Sequence, residues 1–162
     1  MHFRITLFIS LFLLVFTGIG LSGETPIVTI IPAKQVTVAK GQTAQLSVRV
    51  KIKKGFHIQA NPAADEFLIP ATLTVQSSKG SVPGNPVYPP GRPYRLKGSQ
   101  EDLLTYEDEV MIRLPVKVLD SSPLGNTNLT GGLRFQPCDD RRCFFPRSVP
   151  VMIPVKIVRP PK

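Results

Sequence analysis

Two cysteines, Cys138 and Cys143, and two histidines, His2 and His57, are the only thiols and imidazoles in the chain. The cysteines lie in the segment Phe135-Gln136-Pro137-Cys138-Asp139-Asp140-Arg141-Arg142-Cys143-Phe144-Phe145-Pro146, with four polar residues between them. Four polar residues suit a hairpin tip, which would set the two sulfurs opposite one another across antiparallel strands, a span that a disulfide bridges. Closing so short a loop stabilises a fold by about 2 kcal/mol, against more than about 4 for a loop of about 100 residues. Such a bridge is a weak staple, because the ladder already holds its ends. Three chemistries stay open on spacing alone. The pair is a structural bridge, a reversible redox couple, or two ligands of a copper or zinc site that would need His57 beside the hairpin. Arg141 and Arg142 would favour a thiolate, and Asp139 and Asp140 would oppose it. The aromatics Phe135, Phe144 and Phe145 are placed to shield the sulfurs.

The elements around this hairpin read as strands. Apolar residues alternate strictly in Ala44–Ile52, Val110–Val118 and Val149–Ile157, with β-branched side chains dominating each apolar set. A period of two argues half-buried strands. Weaker strands are expected at Pro26–Ile31, Gln35–Ala39, Phe56–Gln59, Ala71–Gln76 and Thr127–Gln136. Turn signals at Lys40-Gly41, Lys54-Gly55, Ser77–Gly80 and Ser121–Asn126 separate them. Pro115, Pro150 and Pro154 fall on the outward face of strong strands, which predicts edge strands or bulges there, since proline donates nothing to a ladder. Ser81–Gln100 carries five prolines together with Tyr88 and Tyr94, and reads as one long Pro-rich loop, a lid or an ornament. No long amphipathic helix appears. The expected fold is all-β, an immunoglobulin-like β-sandwich, with a small barrel as the alternative.

The first 23 residues are a leader. Met1–Arg4 is basic, Ile5–Phe16 is apolar and Thr17–Gly23 turns small and polar, the order of a secretory signal peptide. An uncleaved anchor is the competing reading of the apolar run. Cleavage leaves one domain, residues 24–162, with both cysteines and His57 as its sole histidine. The expected location is periplasmic or secreted, where disulfides persist, and no membrane span is expected after cleavage. The chain has 162 residues with a net charge of +9, and its 17 prolines and 12 glycines stay below the roughly 25–30% of a low-complexity chain. Two cysteines are too few for a disulfide scaffold. The positive charge is spread out, which favours acidic protein partners or a membrane surface, and no nucleic-acid motif accompanies it. No cofactor is expected.

The hairpin Phe135–Pro146 resembles the active-site hairpin of the N-terminal periplasmic domain of DsbD-type thiol:disulfide interchange proteins: an aromatic, Gln, a small residue, Cys, a polar loop, Cys, an aromatic and Pro. Gly55-Phe56-His57-Ile58 with Asn61-Pro62, then Phe67-Leu68-Ile69-Pro70, then Leu104-Thr105-Tyr106-Glu107 are similar to that domain in the same order, so the likeness spans roughly Pro32–Val158. It departs from the pattern where Asp108 follows Tyr106-Glu107 in place of glycine. It departs again where His57 and Gln59 stand at positions that carry aromatics in relatives.

The resemblance implies an immunoglobulin-like domain with a reversible dithiol, of protein-disulfide reductase type. It implies electron exchange with thioredoxin-like periplasmic proteins and a separate membrane electron donor. It also implies that Cys138 forms the mixed disulfides and Cys143 resolves them, and that a loop near Gly91–Gly98 caps the pair through Tyr94. Phe135, Phe144 and His57 would line the site. A secreted immunoglobulin-like binding module with a structural bridge is the alternative.

Overall fold

A computed structural model describes residues 25–161. The leader read at residues 1–23 lies outside the described residues. Twelve strands make up three four-stranded sheets, and among the described residues there is no helix. None is therefore long and apolar enough to cross a membrane.

The first sheet holds β1 (Val28–Ile31), β3 (Thr43–Ile52), β9 (Glu109–Val118) and β6 (Ser81–Pro83), in that order. The second holds β2 (Val36–Ala39), β12 (Arg147–Val158), β10 (Gly125–Phe135) and β5 (Thr72–Val75). The alternation in sequence becomes the core. Leu46, Val48, Val50 and Ile52 of β3 and Val110, Ile112, Leu114, Val116 and Val118 of β9 are buried. Facing them, Leu129, Leu133 and Phe135 of β10 and Val151, Ile153, Val155 and Ile157 of β12 are buried in the same cluster. Each such side chain contributes about 1.5–3 kcal/mol. The result is the two-layer immunoglobulin-like sandwich, and not the small barrel.

Two expectations change. The proline-bearing strands are not edges: β9 lies between β3 and β6, and β12 between β2 and β10. The prolines are tolerated because their missing N–H groups face the side where the short neighbouring strand has ended its regular pairing. The Pro115 carbonyl accepts from Gly84 N at 2.8 Å, just past the end of β6, so the nitrogen of Pro115 points to that side and the β3 ladder loses nothing. On β12, Val158 O accepts from Lys40 N on the β2 side, and Pro154 and Pro150 share its parity. They point to the same side, where β2 pairs only with Val155–Val158.

Second, Ser81–Gln100 is not one loop. It holds β6 and β7 (Arg92–Arg95). Their partners form them: each is three or four residues long, carries a proline and shows no alternation, and each adds to the edge of a longer strand. Tyr88 in this stretch packs, its hydroxyl accepting from Leu73 N at 2.8 Å. Burial pushes its pKa up.

Candidate functional site

The third sheet assembles the site. Its order is β11 (Pro137–Cys138), β4 (His57–Gln59), β8 (Asp102–Tyr106) and β7. Cys138 pairs with His57, Gln59 with Thr105, and Tyr94 with Leu103. Side chains alternate along a strand, so Cys138, His57, Gln59, Thr105, Leu103 and Tyr94 share one face. Ile58, on the other face, is fully buried in the sandwich core. The strand His57–Gln59 thus anchors in the core through its middle residue and offers its two polar neighbours to the cysteines.

Cys138 and Cys143 form a disulfide, with their Cα atoms 3.9 Å apart. The tip is held without it. Asp139 N donates to Arg142 O at 3.0 Å, and Phe144 N to Pro137 O at 2.8 Å. The Asp139 carboxylate accepts from the backbone N–H groups of Arg141 and Arg142 at 2.8 Å each. These two bonds, first that of Arg141, hold its pKa below the usual carboxylate value. The Asp139 charge is therefore engaged in the turn.

The two sulfurs differ in access. Cys138 is 0% exposed, whereas Cys143 is half-buried. Cys143 lines an open depression of about 350 Å³ with Gln136, Arg142, Phe144, Phe145 and Pro146. A larger groove of about 710 Å³ reaches Glu107 but contains neither cysteine, so size does not mark this site. The carboxamide of Gln59, itself 0% exposed, donates from Nε2 to Cys138 Sγ at 3.3 Å and approaches Cys143 Sγ at 3.6 Å. Its Oε1 is buried with no partner, as is Nδ1 of His57. An unpaired buried polar atom costs about 1–3 kcal/mol, so each stands against stability alone.

The hairpin β7–β8 extends this sheet, and from β7 the Tyr94 side chain reaches back across the face. The Tyr94 ring stacks on the His57 imidazole, centroids 3.7 Å apart and planes 28° from parallel. His57 Nε2 lies 3.3 Å from Glu107 Oε2, and Arg92 Nη1 lies 3.8 Å from Glu107 Oε1. The connecting loop is tied to the cysteine hairpin at one residue pair. Lys97 N donates to Asp140 O at 2.9 Å, and Lys97 Nζ to Asp140 Oδ2 at 2.6 Å.

This tether is pH-sensitive in a defined direction. The Lys97 hydrogen bond holds the Asp140 carboxyl below its ordinary 3.8. Its contribution is present above the ordinary carboxylate range and is lost as pH falls through the lowered value. On the alkaline side, the same bond raises Lys97 above its ordinary 10.5, so the tether persists beyond the usual lysine range. Both groups are exposed, so salt also weakens it. In Asp140→Asn the hydrogen-exchange protection of the Lys97 amide is expected to fall at pH 7 to the level that the unaltered protein reaches only once pH has fallen through the lowered Asp140 value. Unchanged protection in the variant would show that the charge pair does not hold the loop.

Of the residues expected at the site, Cys138, Cys143, His57 and Tyr94 come together. Phe144 lies beside them, half-buried, 6.2 Å from Phe56 and with the Arg142 guanidinium 5.1 Å from its ring. Phe135 is 2% exposed in the sandwich core and lines the site only through its chain neighbour Gln136. Phe145 is 91% exposed and shields nothing. Three contributors were not predicted: Gln59 as the partner of both sulfurs, Glu107 as the partner of His57, and the Lys97–Asp140 tether. A strand reading His-Ile-Gln, with two polar side chains on one face, was the available signal for Gln59. The copper or zinc alternative finds no cluster of three or more ligating groups among the described residues, and both thiols are joined to each other.

Comparison with known proteins places this geometry. No curated protein sequence matches the chain. Among solved structures, AggA, the major subunit of aggregative adherence fimbriae type I from Escherichia coli, gives a TM-score of 0.36 at 10% identity, over 81% of this chain and 93% of that one. A second structure of aggregative adherence fimbriae, from enteroaggregative Escherichia coli, gives 0.34 at 13% identity, over 81% and 97%. Scores this low carry no argument. The family model described as thiol:disulfide interchange protein DsbD, N-terminal, matches residues 27–152. That span runs from β1 into β12 and takes in both cysteines, β4 and the β7–β8 hairpin. The chain belongs to the family of the N-terminal domain of the thiol:disulfide interchange protein DsbD, whose chemistry is thiol:disulfide exchange.

Proposed function

We propose that this domain works in the periplasm as a carrier of electron pairs, through a reversible Cys138–Cys143 couple, between a membrane electron donor and thioredoxin-like proteins. One observation carries the reading most directly. The disulfide closes a tip already held by backbone bonds and by Asp139, while one of its sulfurs opens on a depression at the surface. A bridge that staples so little and is reachable is suited to exchange.

Exposure supports the reverse of the order that the resemblance implied. The accessible sulfur is Cys143, so an incoming partner thiolate attacks Cys143 Sγ, the Cys138–Cys143 bond breaks and Cys138 leaves as a thiolate. The partner's second thiolate then attacks its own sulfur in the mixed disulfide and releases Cys143. The partner dithiol becomes a disulfide; the domain gains two electrons, and two protons follow through solvent. Run backwards, the same steps reduce the next partner. The exposed Phe145 ring at the rim of the depression offers apolar contact area to a docking protein.

The test is the reduction potential of the pair against a glutathione or thioredoxin buffer. A reversible couple between about −120 and −270 mV is expected; a bridge that resists reduction until well below about −300 mV would be structural and would overturn the proposal.

A further inference from the structure

We infer that Gln59 is the positioning residue for the buried thiolate: its carboxamide stabilises Cys138 as the leaving and resolving sulfur of exchange. This rests on the exchange reading above. Cys138 is fully buried, and burial in apolar surroundings disfavours a thiolate. Yet both directions of exchange pass through Cys138 as a thiolate, formed when the S–S bond breaks and consumed when it closes. Something must offset the burial.

The arginines of the tip do not, since Arg142 lies over Phe144 and both Arg141 and Arg142 are exposed. Among the described residues, Gln59 is the side chain hydrogen-bonded to the sulfurs, and the shorter contact is to Cys138. Disulfide sulfur carries no hydrogen, so only the N–H end of the carboxamide can bond it, which orients the group. A donor bonds an anion more strongly than a neutral acceptor, so this bond strengthens when the disulfide opens. The unpartnered Oε1 is the cost of turning the N–H end toward the sulfurs. The attacking partner supplies the electron pair, and solvent supplies the protons. Gln59 transfers neither; it shifts the balance between S–S and S⁻.

The experiment removes the amide and keeps the volume, with Gln59→Leu and Gln59→Met. In a Cys143→Ser background, the Cys138 thiolate is titrated by its absorbance near about 240 nm; with both cysteines present, the reduction potential is measured. We expect the Cys138 pKa to rise by about one unit, and the potential, measured at a pH where Cys138 stays ionised in both proteins, to fall by about 30 mV, the value of a tenfold change for this two-electron couple, and by less at lower pH as a fraction reprotonates. A residue that merely packs would change the melting temperature and leave both readouts in place, and that result overturns the inference. If both variants unfold, the unaltered reduced protein decides the matter. The Gln59 side-chain amide protons must then shift with the Cys138 titration in nuclear magnetic resonance spectra, and flat signals overturn the inference. A native couple whose potential the Gln59 variants match sinks this inference alone. A native pair that no thiol reduces reversibly sinks the exchange reading and this inference with it.

Discussion

Cys138→Ser is expected to leave a chain that accumulates mixed disulfides through Cys143, and Cys143→Ser one that hardly does. The asymmetry follows from access. Cys143 lines the depression bounded by Gln136, Arg142 and Phe144–Pro146, and Cys138 is 0% exposed, against Gln59 and paired with His57, on which Tyr94 stacks. A probe can meet Cys138 only after the hairpin tip or the β7–β8 cap opens locally. Local openings range from near zero to the full stability of a fold. An opening of only about 1.4 kcal/mol already separates the two rates tenfold. We therefore expect Cys143 in the Cys138→Ser chain to react with an aromatic disulfide at least about ten times faster than Cys138 in the Cys143→Ser chain. A thioredoxin-like protein lacking its own resolving cysteine should be trapped with the same preference. Equal rates, or faster reaction at Cys138, would restore the order that the family resemblance implied and remove the mechanism proposed above.

The frame of the fold was legible, and the physics of alternation explains why. Leu46–Ile52, Val110–Val118 and Val151–Ile157 each pack one face on a core, and a one-sided core writes a period of two into the chain. The cysteine hairpin was legible for a similar reason: its turn is local, and Asp139, Asp140, Arg141 and Arg142 between the thiols announce it. What could not be read is the third sheet beyond β4, which Phe56–Gln59 foretold. The strands β7 and β11 carry too few residues for any period, and β7 exists because β8 offers it an edge. The pairing of Cys138 with His57 joins residues far apart in sequence, and it brings Gln59 against the sulfurs. Composition therefore pointed to the reactive pair, and tertiary pairing decided what surrounds it. The prolines show the same division. Their outward positions were readable, but which side of β9 or β12 is left uncovered depends on where β6 and β2 stop.

Tyr94→Ala should expose Cys138 without exposing Cys143 further. The strand β7 is the outermost of the third sheet, paired on one side to β8. Besides that ladder, β7 and its loop are held by the Tyr94 ring on His57, by the exposed Arg92–Glu107 pair and by the solvent-exposed Lys97–Asp140 tether. A segment with so few buried contacts opens at the low end of the local stability range. An aromatic stack is worth about 0.5–1.5 kcal/mol beyond its buried area, so removing the ring raises the open population roughly 2- to 13-fold. Alkylation of Cys138 in a Cys143→Ser background should accelerate by that factor, while alkylation of Cys143 in a Cys138→Ser background changes by less than about twofold. Tyr94→Phe keeps the stack, since the ring and not the hydroxyl lies on His57, and should label Cys138 at the native rate. The melting temperature should move little, because Tyr94 is half-buried on an edge strand and lies outside the sandwich core. An unchanged Cys138 rate in Tyr94→Ala would mean that the ring rests on His57 without guarding the sulfur. A rate that rose equally at both cysteines would mean that the substitution loosened the cysteine hairpin itself, and Tyr94 would then be a brace for the tip and not a lid over Cys138.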